Sequence, residues 1–332
     1  MKRFENKTIL VTGATGLIGS NIVHRLMQED AATVVVLARN KEKILDIFAD
    51  YTQKPNFKYI IQDIVDPIQS DEQFDYIFHA AGPIAGDAIR NRPVDVISAN
   101  LQGTINCLEY LKKQGTGRMV VFSSATVYGN KTGTVTEQET ELTDTLDSPI
   151  CAYSQSKRMV ETLARAYHAQ HKVDVVMARF SYVFGYTKYY PNTALFNFIQ
   201  TALHGDDIVL NSTSFAPRDN IYVEDAINML WNVAEQGASG EAYNISSNGE
   251  NGNFIGMDEM AQEIINSANQ LTHLSTKLVK NPLADATRPA GMRMDNTKVK
   301  ALSASAMTVR KISDAIYDTV HSYYNNRQNG RE

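Results

Sequence analysis

Cysteine is scarce in this chain: Cys107 and Cys151 are the only two among 332 residues. Two thiols close at most one bridge, so no disulfide framework holds the fold. Long apolar runs are missing too, and no window approaches the roughly 20 apolar residues that a membrane helix requires. There is no basic excess either. Lys and Arg number 32 against 37 Asp and Glu, a formal charge of −5. Broad electrostatic attraction to nucleic acid or anionic lipid is therefore not expected. The seven histidines show no metal-ligand spacing, since neither HSY nor YHAQH is a zinc motif, and no metal site is expected. No repeat or low-complexity tract interrupts the chain. The start, MKRFENKTILVTG, runs directly into a strand-like pattern rather than a leader, and the expectation is a cytoplasmic protein.

What is present is apolar content of 43% and moderate charge of 21%, enough for a large core and against general disorder. Short apolar runs alternate with segments of helical spacing. The runs are TILV at 8–11, VVVLA at 34–38, YIIQD at 59–63, DYIFHAAG at 75–82, RMVVFSS at 118–124 and VDVVMARFSYVFG at 173–185. Continuous apolar strands between helices predict a parallel sheet covered on both faces, the doubly wound α/β arrangement of the Rossmann type. After about residue 186 the pattern loosens. NIYVEDA at 220–226 and EAYNISS at 241–247 are expected to return to the sheet. We therefore expect a dinucleotide-binding domain over 1–185, its sheet completed by parts of 219–247, and an interleaved, smaller mixed substrate domain over 186–332.

Gly13, Gly16 and Gly19 sit in GATGLIG, where the first strand turns into a helix, and Leu17 and Ile18 between them are candidates to bind the cofactor. Glycines there permit a tight turn and close approach of a pyrophosphate, and the helix amino end supplies N–H groups and a partial positive field. A strand–helix turn with chance glycines is the bland alternative. The second strand ends in Ala38 and Arg39, where a carboxylate would grip an adenosine ribose. Arg39 favours NADP over NAD, because a guanidinium suits a 2′-phosphate. Asp63, with Ile64 beside it, is a candidate for the adenine amino group. Ala80, Ala81 and Gly82 are candidates to line the cofactor, and His79 is read as packing rather than as a base.

Tyr153 and Lys157 are four residues apart and share a helix face. A tyrosine is a poor base at its ordinary pKa near 10, and a nearby ammonium favours its phenolate. Ser124 ends the neighbouring strand and can hold a substrate oxygen that becomes a carbonyl. The three residues suit alcohol–ketone interconversion with hydride transfer.

TGATGLIGS, HAAG, NLQGT, SSATVYG, YSQSK, the arginine of ARFSYVFG and PRDNIYVEDA stand in the order found in extended short-chain dehydrogenases/reductases. The chain resembles the nucleotide-sugar epimerase/dehydratase branch of that family over nearly its whole length. The resemblance implies Ser124, Tyr153 and Lys157 as the catalytic trio and Asn100 as the asparagine of the neighbouring helix. It places Thr126 near the hexose, and Arg218 and Arg288 near a nucleotide diphosphate. It implies a nucleotide-diphosphate sugar as substrate and a homodimer built on two long helices. Departures matter equally. Dehydratases of this branch carry an Asp–Glu pair where this chain has Ala125 and Thr126, which argues against dehydration. UDP-glucuronate decarboxylases usually show a glutamate in that segment. Tyr182 replaces the family asparagine and Tyr186 the usual proline, so the substrate pocket is expected to be atypical.

The resulting expectation is a nucleotide-sugar 4-epimerase working through a transient 4-keto sugar. An NADPH-dependent 4-keto-sugar reductase is the alternative, and a decarboxylase, needing Arg288 or Arg293 for the substrate carboxylate, is third. A sensor that binds NADP without turnover is disfavoured by the intact trio. Asn192 and Thr193 are candidates to reach substrate. Tyr189 and Tyr190 are weighed as sugar-stacking residues, while Trp231 is assigned to the core and Cys151 to structure. Glu137, Glu141, Asp206 and Asp207 are read as solvated loop charges.

Overall fold

The computed structural model describes residues 3–29, 32–83, 86–139, 146–147, 151–212, 215–281 and 289–328. The first half alternates strand and helix: β1 (Thr8–Thr12), α1 (Leu17–Glu29), β2 (Thr33–Ala38), α2 (Lys41–Ile47), β3 (Phe57–Ile61), β4 (Tyr76–His79), α3 (Gly86–Asn91), α4 (Pro93–Gln114) and β5 (Arg118–Ser124). A 3-10 turn, Ala125–Tyr128, follows at once, then β6 (Gly133–Val135), α5 (Cys151–His171), β7 (Asp174–Phe180) and β8 (Tyr182–Phe184). The remainder comprises α6 (Ala194–His204), β9 (Ile208–Leu210), β10 (Arg218–Tyr222), α7 (Val223–Gln236), β11 (Ala242–Ile245), β12 (Phe254–Ile255), α8 (Met257–Thr272), β13 (Leu278–Lys280), β14 (Met292–Met294), α9 (Thr297–Lys300) and α10 (Ile312–Gln328).

Seven strands form one parallel sheet in the order β11-β7-β5-β4-β1-β2-β3. Alternate residues of each strand enter cores on opposite faces. Ile9, Val11, Val34, Val36, Val120 and Phe122 pack on one side, and Leu10, Val35, Leu37, Met119 and Val121 on the other. Burial on both faces is why these strands read as unbroken apolar runs. The chain winds outward from β1 to β3 and then returns to β4 beside β1, so a crevice opens at the carboxyl ends of β1 and β4. Trp231 lies in the core at 2% exposure, edge-on to Phe4 and Phe78.

One expected strand goes elsewhere. EAYNISS supplies β11 of the large sheet, but NIYVEDA does not join it. Its strand, β10, pairs with β8, β12 and β14 in a smaller mixed sheet. The chain bends after Phe180, where the Ser181 N–H donates to the Ile245 carbonyl at 3.0 Å, and β8 leaves the large sheet and carries β10 with it. Buried Asp219 then fastens β10, accepting from the Ser247 N–H at 3.0 Å, the Ser247 hydroxyl at 2.5 Å and the Met294 N–H at 3.0 Å.

Candidate active site

The glycine turn places three different demands on its glycines. Gly13 has φ +64°, and a Cβ there would lie 2.7 Å from the Ala80 carbonyl and the Ala81 nitrogen. Gly19 would clash with the Gly13 carbonyl oxygen at 2.4 Å. Both are dictated by the fold itself. Gly16 is not: it is exposed, its φ is ordinary, and a Cβ would come no closer than 3.4 Å to any other part of the chain. Its bare backbone leaves room for a ligand at the amino end of α1, whose first turn carries no acidic residue. A diphosphate fits this cradle. The Leu17 side chain is buried in the core, and Ile18 packs at its edge.

Toward the second strand, the Arg39 Nη1 meets the Asp63 Oδ2 at 3.4 Å, with the Arg39 side chain 78% exposed. Asp63 also accepts from the Val65 N–H at 3.2 Å. The Ile64 side chain turns into the core, where it crowds Gly103. At the end of β4, the Thr12 hydroxyl bonds His79 Nδ1 at 2.8 Å and accepts from the Ala81 N–H at 3.3 Å. Burial, with repulsion from Lys157, pushes His79 down to about 3. The imidazole is neutral and holds the β1–β4 crevice in shape.

Gly82 is the opening to the chemistry. A Cβ there would lie 2.5 Å from Asn100 Oδ1 and 3.7 Å from Lys157 Nζ. Asn100 is buried on α4 and donates to the Ser156 hydroxyl at 2.8 Å, while its Oδ1 has no protein partner. The Ser156 hydroxyl donates in turn to the Tyr153 carbonyl at 2.9 Å. Lys157 donates to the Phe122 carbonyl at 2.8 Å, and its Nζ stands 5.8 Å from the centre of the Tyr153 ring. Burial lowers this ammonium to about 8. Ser124 beside Tyr153 favours the phenolate, but burial outweighs it and Tyr182 acts with burial, so the phenol stands above its ordinary value. Lys157 is expected to draw the phenol down, but in this geometry the cost of burying a phenolate dominates.

Ser124 closes β5, and its Oγ accepts from the Thr126 N–H at 3.2 Å, capping the 3-10 turn. Ala125 packs against the small cluster of Val127, Tyr128, Val135 and Met294, and the Thr126 hydroxyl is buried without a partner. Neither position offers an acid. Tyr182 is 49% exposed on β8, and the Arg218 guanidinium lies 4.5 Å from its ring centre. In register, Tyr182 faces Asn220, two residues after Arg218, which puts both side chains on one face of the small sheet.

Other expectations fare differently. Arg288 lies outside the described residues, as does Glu141. Arg293 follows Met292, the register partner of Arg218, so alternation turns it to the opposite face, where it lies over Phe254. It is not placed to meet a substrate carboxylate beside Tyr182. Asn192 is exposed, and among the described residues no hydrogen bond joins it to Ser124 or Tyr153. Tyr189 and Tyr190 both have partners within the chain. Tyr189 donates to Asp46 at 2.8 Å, and Tyr190 stacks on Tyr323 with ring centres 4.3 Å apart, so both are spent on packing the chain against α2 and α10. Cys151 donates to the Leu146 carbonyl. Glu137 is not a solvated charge: its Oε1 accepts from the Asn244 N–H at 2.8 Å. Asp206 and Asp207 are exposed, as expected.

The family model described as "NAD dependent epimerase/dehydratase family" matches residues 9–246, more than half of the chain. The chain belongs to the NAD dependent epimerase/dehydratase family. As a member it is an enzyme that works with a nicotinamide cofactor. It is similar to UDP-glucuronic acid decarboxylase 6 of Arabidopsis thaliana, 29% identical over 89% of this chain and 82% of that one. Among solved structures it is similar to an epimerase of Methanothermobacter thermautotrophicus, at 25% identity and a TM-score of 0.79, covering 99% of this chain and 96% of that one. It is also similar to the Bordetella bronchiseptica enzyme WbmF in complex with NAD+ and UDP, at 25% identity and a TM-score of 0.74, covering 99% and 95% of the two chains. Family membership accounts for the order of glycine turn, Ser124, Tyr153 and Lys157. Among the described residues no group of His, Cys, Asp or Glu could hold a metal ion, and no helix is long and apolar enough to cross a membrane.

Proposed function

We propose that this enzyme is a nucleotide-sugar 4-epimerase acting through a transient 4-keto sugar. The observation that carries the reading is Tyr153 set beside Ser124, the head of a turn whose next two residues, Ala125 and Thr126, carry no acid. Such a site can move a hydroxyl proton and hold a carbonyl oxygen, but it lacks the pair needed to expel water.

The Gly13–Gly19 turn and the amino end of α1 would hold the cofactor diphosphate, Asp63 and Arg39 its adenosine end, and Lys157, Asn100 and Gly82 its nicotinamide end. When bound, the nicotinamide supplies reversible hydride acceptance. The protein's part is proton handling. As a phenolate, favoured by the positive charge that the oxidised nicotinamide would add beside Lys157, Tyr153 would take the proton of the sugar C4 hydroxyl and later return it. Ser124 holds the same oxygen while the carbon is a ketone, and Lys157 lends positive charge to the phenolate. Thr126, Tyr182 and Arg218 face the nucleotide-sugar, with the Arg218 fork suited to a diphosphate oxygen. Because Arg39 is paired with Asp63, the adenosine end offers little net positive charge to a 2′-phosphate, which supports NAD.

Two other readings share the 4-keto step. Arg39 supports an NADPH-dependent reductase if a 2′-phosphate displaces Asp63. Similarity to a decarboxylase supports a hexuronate substrate, since a 4-ketone makes its carboxylate a β-keto acid. That reading needs a cation for the carboxylate, and the diphosphate already uses Arg218. Exposed Val94, Ile97 and Met159 on α4 and α5 support a homodimer through these helices.

Native mass spectrometry of the purified protein, followed by incubation with a panel of nucleotide sugars, tests the proposal. Copurified NAD+ with redox-neutral isomerisation is expected. Release of CO2 from a hexuronate, or consumption of NADPH by a 4-keto sugar, would replace the epimerase with one of its rivals.

A further inference from the structure

Behind the catalytic strand lies a group of buried polar residues that the reaction itself does not use. Arg179 on β7 is 5% exposed and Glu161 on α5 is 3% exposed. They form a two-pronged pair, with Arg179 Nε to Glu161 Oε1 and Arg179 Nη2 to Glu161 Oε2, both at 2.8 Å. Burial disfavours the Glu161 carboxylate, but Arg179 and the Ser123 hydroxyl outweigh it, and the net shift is downward. The pair is ionised.

Each remaining bond leads to an element that carries the site. Ser123, the residue before Ser124, donates to Glu161 Oε1 at 2.6 Å. Glu161 is one helical turn beyond Lys157 and two beyond Tyr153, on the same stripe of α5. Arg179 Nη1 donates to the Tyr128 hydroxyl at 2.9 Å and to the Glu137 carbonyl at 3.2 Å. Tyr128 ends the 3-10 turn that begins after Ser124, and its hydroxyl donates to Asn244 Oδ1 at 2.7 Å. The Asn244 N–H donates to Glu137 Oε1 at 2.8 Å. Arg179, Tyr128, Asn244 and Glu137 thus close a hydrogen-bonded ring; Glu161 hangs from the same guanidinium, and Ser123 hangs from Glu161.

We propose that Arg179 is a positioning residue for catalysis: its planar fork sets the spacing between the Ser124–Thr126 turn on one side and the Tyr153–Lys157 stripe of α5 on the other. A guanidinium fits this task because three nitrogens donate in fixed directions in one plane, which an ammonium cannot reproduce. Ser124 and Tyr153, which face each other, stand on the two bodies that the fork joins. The idea rests on proton transfer through Tyr153, and not on which sugar is used.

The test employs the full-length protein with its bound cofactor and three mild variants, Ser123→Ala, Tyr128→Phe and Arg179→Lys. Tyr153 is followed by the titration of its 13Cζ resonance, assigned with Tyr153→Phe, so no substrate is needed. With the turn loosened, Ser124 draws away from Tyr153 and no longer favours its ionised form, and the midpoint is expected to rise by about half a unit to one unit. With a sugar that turns over, kcat is expected to fall by about ten- to a hundredfold while KM stays within about twofold. Arg179→Lys, which keeps the charge, should not restore either quantity. An unchanged Tyr153 midpoint in all three variants, even with lowered melting temperatures, would reduce the network to a fold-stabilising clamp and overturn the proposal. If the midpoint moves and no sugar is epimerised, the positioning role stands and the substrate reading fails.

Discussion

The Lys157 ammonium stands 5.8 Å from the centre of the Tyr153 ring while it donates to the Phe122 carbonyl at 2.8 Å. The lysine is therefore anchored to β5 beside the tyrosine. Burial has lowered this lysine to about 8, so the charge is present at neutral pH and lost in mild alkali. Turnover should fall as pH rises through that value. Lys157→Met should remove this limb of the pH–rate profile and lower kcat by about a hundredfold or more. Tyr153→Phe should abolish turnover while retaining cofactor, which absorbance and mass spectrometry can check together.

The same lysine should cost stability. Its unfolded value is 10.5 and its folded value about 8. Below 8 both states hold the proton, and the folded state bears the full penalty of a buried ammonium. Between 8 and 10.5 the unfolded chain binds more protons than the folded one, so stability rises with pH across this window. A shift of this size corresponds to about 3 kcal/mol, and loss of the bond to the Phe122 carbonyl returns about 1 kcal/mol. Lys157→Met should therefore be more stable than the parent at pH 7, by about 2 kcal/mol, with the advantage shrinking as the lysine deprotonates. Urea unfolding at neutral and alkaline pH measures it. Equal stability of parent and variant at pH 7 would mean that water reaches Lys157.

Much of this site was legible because its signals are local. A strand must turn into a helix within the glycine stretch, and Tyr153 and Lys157 are neighbours on one helix, so sequence spacing carries the geometry. The misreadings are all questions of long-range partners. NIYVEDA has the composition of a strand, but nothing within it tells which sheet will accept it. Glu137 looked solvated because its partner, the Asn244 N–H, is 107 residues away. Tyr189 and Tyr190 carry no sign in the sequence of their partners Asp46 and Tyr323, which are far away in the chain. Arg179 was visible as a motif residue, but the carboxylate that neutralises it was not. A glutamate eight residues after Tyr153, on the same helical stripe and directed at strands rather than solvent, was the available clue.

Gly16 and Gly19 should fail in different ways. A Cβ at Gly19 meets the Gly13 carbonyl at 2.4 Å, so Gly19→Ala must shift the backbone of the turn. That variant should lose several degrees of melting temperature as well as cofactor. A Cβ at Gly16 meets nothing inside 3.4 Å. Gly16→Ala should melt like the cofactor-free parent, or slightly higher because alanine restricts the unfolded chain. It should nevertheless bind cofactor more weakly by about tenfold or more, since the methyl group occupies the approach of the diphosphate. Melting curves taken with and without added NAD+ separate the two. Full cofactor affinity in Gly16→Ala would show that the diphosphate does not lie on this residue.

The Arg39–Asp63 pair is expected to bear on the choice between NAD and NADP. At 3.4 Å, with Arg39 78% exposed, the pair is weak and easily parted. Its effect is electrostatic: a 2′-phosphate approaching Arg39 also approaches a carboxylate. Asp63→Asn keeps the side-chain shape and the acceptor for the Val65 N–H, and it removes the negative charge. The ratio of NADP to NAD affinity should then rise by about three- to tenfold, most clearly at low salt, where exposed charges are least screened. Arg39→Ala should move the ratio in the opposite direction by a similar factor. Competition between the two cofactors, read by mass spectrometry of the native protein, gives the ratio without any sugar. A parent that prefers NADP, and an Asp63→Asn variant that does not change this, would mean that the phosphate already displaces Asp63, and the reductase would then take the place of the epimerase.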